Sequence, residues 1–279
     1  MRSPAFAGQF YDSTRSELLK QIEWCYNHRF GPGKVPKLKA GPRKLIGLVS
    51  PHAGYIYSGP VAAHGFTRMA DDGKPDSIVL LGPNHTGAGS GVSIMTSGKW
   101  ITPLGEVQID QGLSKEITRA SRIIDVDPNA HAYEHSIEVQ LPFLQHLLGS
   151  DFEIVPICMM LQDLETSMDI GDAVAKASAG KNVLILASTD FTHYEPQKLA
   201  AEKDKRAIEK ILALDPTSLV RTVEEEDITM CGYGPVSAML QAAKKLGAKK
   251  AELLKYATSG DTAGPMAQVV GYGSIAVLR

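Results

Sequence analysis

Three short apolar runs, each ended by a turn that carries a histidine, constrain this chain more than any other feature. Leu45-Ile46-Gly47-Leu48-Val49 runs into Ser50-Pro51-His52-Ala53-Gly54. Ser77-Ile78-Val79-Leu80-Leu81 runs into Gly82-Pro83-Asn84-His85, and Val183-Leu184-Ile185-Leu186-Ala187 into Ser188-Thr189-Asp190-Phe191-Thr192-His193. Continuous apolar runs of this length, closed by Gly and Pro, read as strands buried on both faces of a parallel sheet. Ligands of open α/β sheets gather outside the carboxyl ends of such strands. A single histidine there needs no more explanation than capping its own turn. Three in the same local context point to one shared site, suited to a metal or to acid–base chemistry.

The rest of the pattern alternates strands with helices. A helix is predicted over 14–27, where Leu18, Leu19, Ile22, Trp24 and Cys25 share a face. The Gly-, Pro- and Lys-rich stretch 30–43 reads as an exposed connection. Strands are predicted at 44–50, 77–82, 92–95, 152–159, 182–188, 251–257 and 272–278, with β structure at 99–110 around the turn Thr102-Pro103-Leu104-Gly105. Helices are predicted to open at Ser58-Gly59-Pro60 and to cover 111–119, 163–179, 199–214 and 236–246, the last ended by Gly247. A further helix is expected from Glu134 to Leu147, kinked or restarted at Pro142. Together these give an α/β fold of one domain, residues 1–279. Its central sheet is mostly parallel or mixed, with helices on both faces.

Bulk properties remove several functions. With 29 basic and 31 acidic side chains the net charge is −2, which offers nothing to nucleic acid or to an anionic membrane. No apolar run reaches the ~18 residues that span a bilayer, and the first eleven residues lack the apolar core of a signal peptide. Three scattered cysteines, Cys25, Cys158 and Cys231, fit a reducing cytoplasm rather than a disulfide framework. There is no G-x-S-x-G elbow and no C-x-x-C pair. The glycine loop Thr86–Gly91 leads into a strand-like run, so it presents no helix N-terminus to a phosphate.

The candidates for chemistry are therefore His52, His85 and His193, joined by Cys231, Glu134 and His135. Cys231 precedes a predicted helix start, where a helix N-terminus and nearby imidazoles would lower a thiol pKa; the alternative is a small buried hydrophobe, the reading given to Cys25 and Cys158. Asp190 either orients an imidazole or caps its own turn. His131-Ala132-Tyr133-Glu134-His135 matches the H-x-x-E-H of some zinc peptidases. Asp127-Pro128-Asn129 immediately upstream, however, places His131 in a loop, off the helical face that this chemistry needs. Glu134 and His135 are then expected at a helix start beside the metal pocket, with the helix dipole keeping His135 neutral and able to accept a proton. His64 and His146 lie within predicted helices and are read as structural. Phe10, Tyr11, Tyr55 and Tyr57 line a pocket or simply fill the core.

Six ordered segments carry a resemblance over nearly the whole chain. They are Pro4–Tyr11, Pro51-His52-Ala53-Gly54-Tyr55, Leu81-Gly82-Pro83-Asn84-His85, Glu134-His135-Ser136-Ile137-Glu138, Ser188–His193 and Cys231-Gly232. Together the sequence resembles the Memo family (mediator of ErbB2-driven cell motility) in its prokaryotic form. The resemblance implies the fold of class III extradiol dioxygenases, which hold non-haem iron with two histidines and a carboxylate and use a further histidine for proton transfer. It puts His52 and His85 at the two ligand positions and Cys231 where the carboxylate would be. His193 falls at the proton-transfer position, within reach of the metal. Fe(II) is then the expected metal, with Cu or Zn as alternatives, and the substrate is a small molecule the sequence does not name. By family association, radical SAM and AMMECR-type proteins are candidate partners. The competing reading is a non-catalytic module that binds a peptide or small anion in a vestigial dioxygenase pocket; eukaryotic members are described as binding a phosphotyrosine peptide there.

Overall fold

The computed structural model describes residues 1–279. In chain order its elements are α1 (Arg15–Asn27), β1 (Leu45–Ser50), α2 (Tyr55–Asp72), β2 (Ser77–Pro83), β3 (Val92–Ile94), β4 (Lys99–Thr102), β5 (Gly105–Ile109), α3 (Gln111–Ala120) and β6 (Asp125–Val126). They continue with α4 (Asn129–Ala132), α5 (Leu141–Leu148), β7 (Glu153–Met159), α6 (Leu164–Ser178), β8 (Val183–Ser188), β9 (His193–Glu195), α7 (Gln197–Leu212) and α8 (Pro216–Glu225). Last come α9 (Tyr233–Lys245), β10 (Lys250–Thr258), α10 (Ser259–Thr262) and β11 (Val269–Leu278). Several helix starts are set by side chains that accept an otherwise unpaired backbone N–H: Thr14 from Glu17, Asp110 from Leu113, Asp163 from Thr166 and Asp215 from Ser218.

The sheet is mixed, in the order β10-β11-β1-β8-β2-β7-β3-β6. Its centre is parallel: β1 pairs with β8, β8 with β2, and β2 with β7. The chain-terminal β11 inserts antiparallel between β10 and β1. Successive side chains of the central strands point to opposite faces, and both faces are apolar. Val79, Leu81, Val155 and Ile185 pack with Ile170 and Val174 of α6 and Met239 and Leu240 of α9. Ile78, Leu80, Leu184 and Leu186 pack with Ile22 of α1, Phe66 and Met69 of α2, and Phe143 of α5. Each such aliphatic or aromatic side chain contributes roughly 1.5–3 kcal/mol of burial, so the two layers, not the outlying β4–β5 hairpin, hold the strand ends in place.

Helices α2 and α9 each open three residues ahead of their expected starts, and the helix expected from Glu134 is displaced. α2 begins at Tyr55, ahead of the Ser58-Gly59-Pro60 signal, because Gly54 serves as its N-cap and the Tyr55 N–H is taken by the Phe10 carbonyl. Pro60 therefore lies inside the helix. The expected helix from Glu134 does not form: residues 133–137 are irregular, Glu138–Gln140 is a 3₁₀ turn, and α5 starts only at Leu141 with Pro142 in its first turn. Pro142 starts the helix here instead of kinking it. Upstream, the Glu134 carboxylate accepts the Ser136 N–H at 2.8 Å, a local bond that competes with helical pairing.

Candidate metal centre

The adjacency of β1, β8 and β2 brings the three histidine-bearing turns to one edge of the sheet. Ser50 lies opposite Ser188 in register, and β2 flanks β8 on its other side. The turns open into a cleft of about 670 Å³, lined among others by His52, His85, His135, Asp190, His193 and Cys231. Cys231 reaches it from the opposite end of the sequence. Gly232 makes this approach possible: a Cβ there would lie 2.4 Å from the Ser188 carbonyl oxygen and 2.7 Å from Thr189 Cβ. Its N–H donates to Thr189 Oγ1 at 2.9 Å, seating the start of α9 against the end of β8.

The donor atoms of His52, His85 and Cys231 all lie within 4.8 Å of one another. Cys231 Sγ is 3.1 Å from His52 Nε2. His52 Nδ1 faces Ser188 Oγ at 2.9 Å. His85 Nδ1 lies 2.8 Å from Glu134 Oε1, and the His85 N–H donates to Glu134 Oε2 at 2.5 Å. A carboxylate on one imidazole nitrogen orients the ring and makes the other nitrogen a better donor. His85, Glu134 and His135 also fall within 4.8 Å of one another. Glu134, however, already accepts from His85 twice and from Ser136 once, which fits a carboxylate that orients His85 rather than one free to bind an ion. The His135 ring stacks on His85 with centroids 4.5 Å apart and stands 5.3 Å from His52. Phe10 packs on its other side at 4.5 Å.

His193 lines the same cleft without joining the three-donor group. Thr229 clamps it twice: the His193 N–H donates to Thr229 Oγ1 at 2.7 Å, and His193 Nδ1 lies 2.8 Å from the Thr229 carbonyl oxygen. A carbonyl only accepts, so Nδ1 carries the proton and Nε2 is the nitrogen left free. The next residue, Tyr194, takes a left-handed backbone with φ of 60°. Asp190 acts on backbone: its Oδ1 accepts the His52 N–H at 2.8 Å, capping that turn and leaving the imidazole to Ser188.

The family model described as "Memo-like protein" matches residues 2–276. The chain belongs to the Memo family. It is 51% identical to a MEMO1 family protein of Methanopyrus kandleri over 280 residues, covering 100% of this chain and 99% of that one. A MEMO1 family protein of Sulfurisphaera tokodaii is 49% identical, with 99% and 98% covered, and one of Methanothermobacter thermautotrophicus 48% identical, with 99% of both covered. Among solved structures, an uncharacterized protein of Escherichia coli K12 superposes with a TM-score of 0.57 at 13% identity, over 83% of this chain and 99% of that one. That similarity supports the α/β fold alone. No helix of this Memo family chain is long and apolar enough to cross a membrane.

The electrostatics of this Memo-family cleft correct two expectations. Burial in the cleft floor pushes the Cys231 thiol up, and the Asp190 carboxyl adds to the rise, so without a metal the thiol is held protonated rather than activated. His135 is indeed held neutral, its pKa lowered to about 4, but by burial; no helix begins at Glu134 to contribute a dipole. Burial lowers His52 still more clearly, helped by His135, His85 and His193 around it. Burial also raises the Asp190 carboxyl, to about 6.

His131 does not reach the cleft. It sits on the single turn α4, which Tyr133 ends, and its ring is fully buried edge-on to Trp100. The turn breaks the helical face that would align it with Glu134 and His135, so the H-x-x-E-H spacing forms no peptidase site. Glu138, which shares a motif segment with Glu134 and His135, lies outside the cleft lining and instead braces this region together with Arg2, a residue no motif marks. Arg2 pairs with Glu138 at 2.7 Å, stacks on Trp100 and donates to the His131 and Glu134 carbonyls. Glu138 also accepts from Ala5, Phe6 and Tyr11, tying down the N-terminal segment that supplies Phe10. Phe10 and Tyr57 line the cleft, whereas Tyr11 and Tyr55 are core.

These buried imidazoles make the fold acid-sensitive. Burial lowers His131 and His135 to about 4, against roughly 6.5 in an unfolded chain. Above pH 6.5 both states hold neutral rings and nothing is lost. Between about 6.5 and 4 these two rings take up protons only in the unfolded chain, so each removes up to ~1.4 kcal/mol of stability per pH unit in that window, while Asp190, raised to about 6 in the fold, offsets about one of them below pH 6. Urea unfolding midpoints should therefore drop clearly between pH 7.5 and pH 5. A midpoint flat across that range would show that the two rings are not held neutral.

Proposed function

We propose that the cleft is a non-haem metal centre, with His52, His85 and Cys231 holding Fe(II), and that it carries out redox chemistry on a small substrate. The observation that carries this reading is the mutual approach of two imidazoles and a thiol within 4.8 Å. Imidazole and thiolate suit iron, copper or zinc and disfavour Mg or Ca, which take oxygen ligands. Bound iron would supply one-electron chemistry and oxygen activation, with thiolate donating more charge than the carboxylate of related dioxygenase-type sites.

The chain's own residues perform the remaining tasks. Glu134 orients His85 through Nδ1. His193, whose Nδ1 is committed to the Thr229 carbonyl, exchanges a proton with a bound molecule at Nε2. His135, neutral and stacked against His85, is a second acceptor within the cleft. Phe10, Tyr57, Tyr194 and Tyr272 supply apolar walls that limit water and give a planar molecule surfaces to pack on. The competing role, capture of a small anion, has less support: no lysine or arginine lines the cleft, and burial keeps His52 and His135 uncharged.

The test is anaerobic purification followed by reconstitution with Fe(II), Cu and Zn in parallel. The expected result is one tightly held iron per chain, with oxygen uptake on a screen of aromatic and thiol substrates. Zinc as the sole metal retained, with no oxygen uptake after iron reconstitution, would overturn the redox reading.

A further inference from the structure

We propose that Ser188 and Gln140 are positioning residues that lock His52 into one tautomer, with its proton on Nδ1 and its lone pair on Nε2. The assignment follows from counting protons. Ser188 has a single hydroxyl proton, and its Oγ lies 2.6 Å from the Ser136 carbonyl oxygen, which can only accept. That proton is therefore spent on Ser136. Gln140 Nε2 lies 2.9 Å from the Pro51 carbonyl oxygen and 2.8 Å from Ser188 Oγ. The Pro51 carbonyl requires the amide nitrogen on that side, so the second amide hydrogen donates to Ser188. The remaining neighbour of Ser188 Oγ is His52 Nδ1, at 2.9 Å. Since the hydroxyl has nothing left to give, the imidazole must donate and Nδ1 must hold the hydrogen.

The lock is sealed from water: His52, Ser188 and Gln140 are each no more than 2% exposed. It is also shared. Ser136 accepts from Ser188 through its backbone carbonyl and donates through its backbone N–H to Glu134 Oε1, the oxygen that holds His85 Nδ1. One residue, through the peptide groups on its two sides, thus joins the networks that orient both imidazoles, and both are left with Nε2 as the free nitrogen. On His52 that nitrogen faces Cys231 Sγ. The purpose of the lock rests on the metal reading above, but the tautomer itself rests only on these hydrogen bonds.

The experiment is long-range ¹H–¹⁵N correlation NMR on the metal-free protein, with the His52 signals assigned by their loss in His52→Ala, together with Co(II) titration. The expected spectrum shows a protonated Nδ1 and a bare Nε2. Ser188→Ala should move His52 to a tautomer mixture and weaken Co(II) binding by roughly 10–100-fold, the usual effect of losing a partner behind a ligand. Gln140→Leu should do the same more weakly, by freeing the Ser188 hydroxyl to turn. A wild-type His52 protonated at Nε2 overturns the proposal, and this needs no variant to fold. So does a folded Ser188→Ala protein with unchanged tautomer and affinity. A wild-type protein that shows the expected tautomer yet binds no Co(II) supports the lock and counts against the metal reading alone.

Discussion

His52→Ala is expected to yield a folded protein that retains almost no iron after anaerobic reconstitution and desalting. The ring is held by Ser188 on one side and meets Cys231 Sγ at 3.1 Å on the other, so no neighbouring nitrogen takes over its place. Losing a partner behind a ligand weakens metal binding by roughly 10–100-fold, and losing the ligand itself should exceed that. Oxygen uptake should vanish with the metal. His64→Ala is the matched control, because His64 is bonded to the Phe30 carbonyl on the far side of α2 and lines no part of the cleft. His135→Ala separates binding from chemistry: metal content should persist while turnover falls. One equivalent of iron retained by His52→Ala would remove this residue from the centre.

The second large effect is on pH dependence. Burial and the Asp190 carboxyl push the Cys231 thiol up, so across pH 6–9 the metal-free thiol carries its proton. Burial pushes His52 down, so its imidazole is already neutral there. Binding as thiolate must then release one proton, from Cys231 and not from His52. Affinity should rise about tenfold per pH unit, or roughly a thousandfold from pH 6 to pH 9. Cys231→Ser should bind weakly at every pH and lose the slope. In competition alkylation of the metal-free protein, Cys231 should react before Cys25 and Cys158, which are fully buried, and faster as pH rises. A flat pH profile in the wild type, or prior reaction at Cys25 or Cys158, would contradict the thiolate assignment.

How much of this was legible beforehand depended on the range of the forces involved. The apolar runs at β1, β2 and β8 announce themselves because a strand buried on both faces needs every side chain apolar, and the turn residues that end them are local signals. The histidines at those ends, and their convergence at one sheet edge, follow from strand parallelism. The motif resemblance placed Cys231 beside them, although 179 residues separate it from His52. Residues 134–140 have helical apolar spacing and yet begin no helix at Glu134, because the Glu134 carboxylate and the Ser136 carbonyl are engaged by His85 and Ser188, distant partners that periodicity does not record.

The α/β class, the strand ends and the set of residues with chemistry to offer are all written locally, in runs and turns a few residues long. How those residues are held depends on the folded arrangement. It seats Asp190 on a backbone N–H instead of an imidazole, gives Glu134 to His85, clamps His193 with Thr229, and raises the Cys231 thiol that its place before a helix would have lowered. It also brought in Gln140 and Arg2, ordinary polar residues outside every motif segment, and set the partners of Ser188 and Glu138, which lie inside two of them. Strand and helix patterns arise from neighbours a few residues apart, whereas hydrogen-bond direction and desolvation depend on which distant groups surround an atom, and these are settled only when the sheet closes.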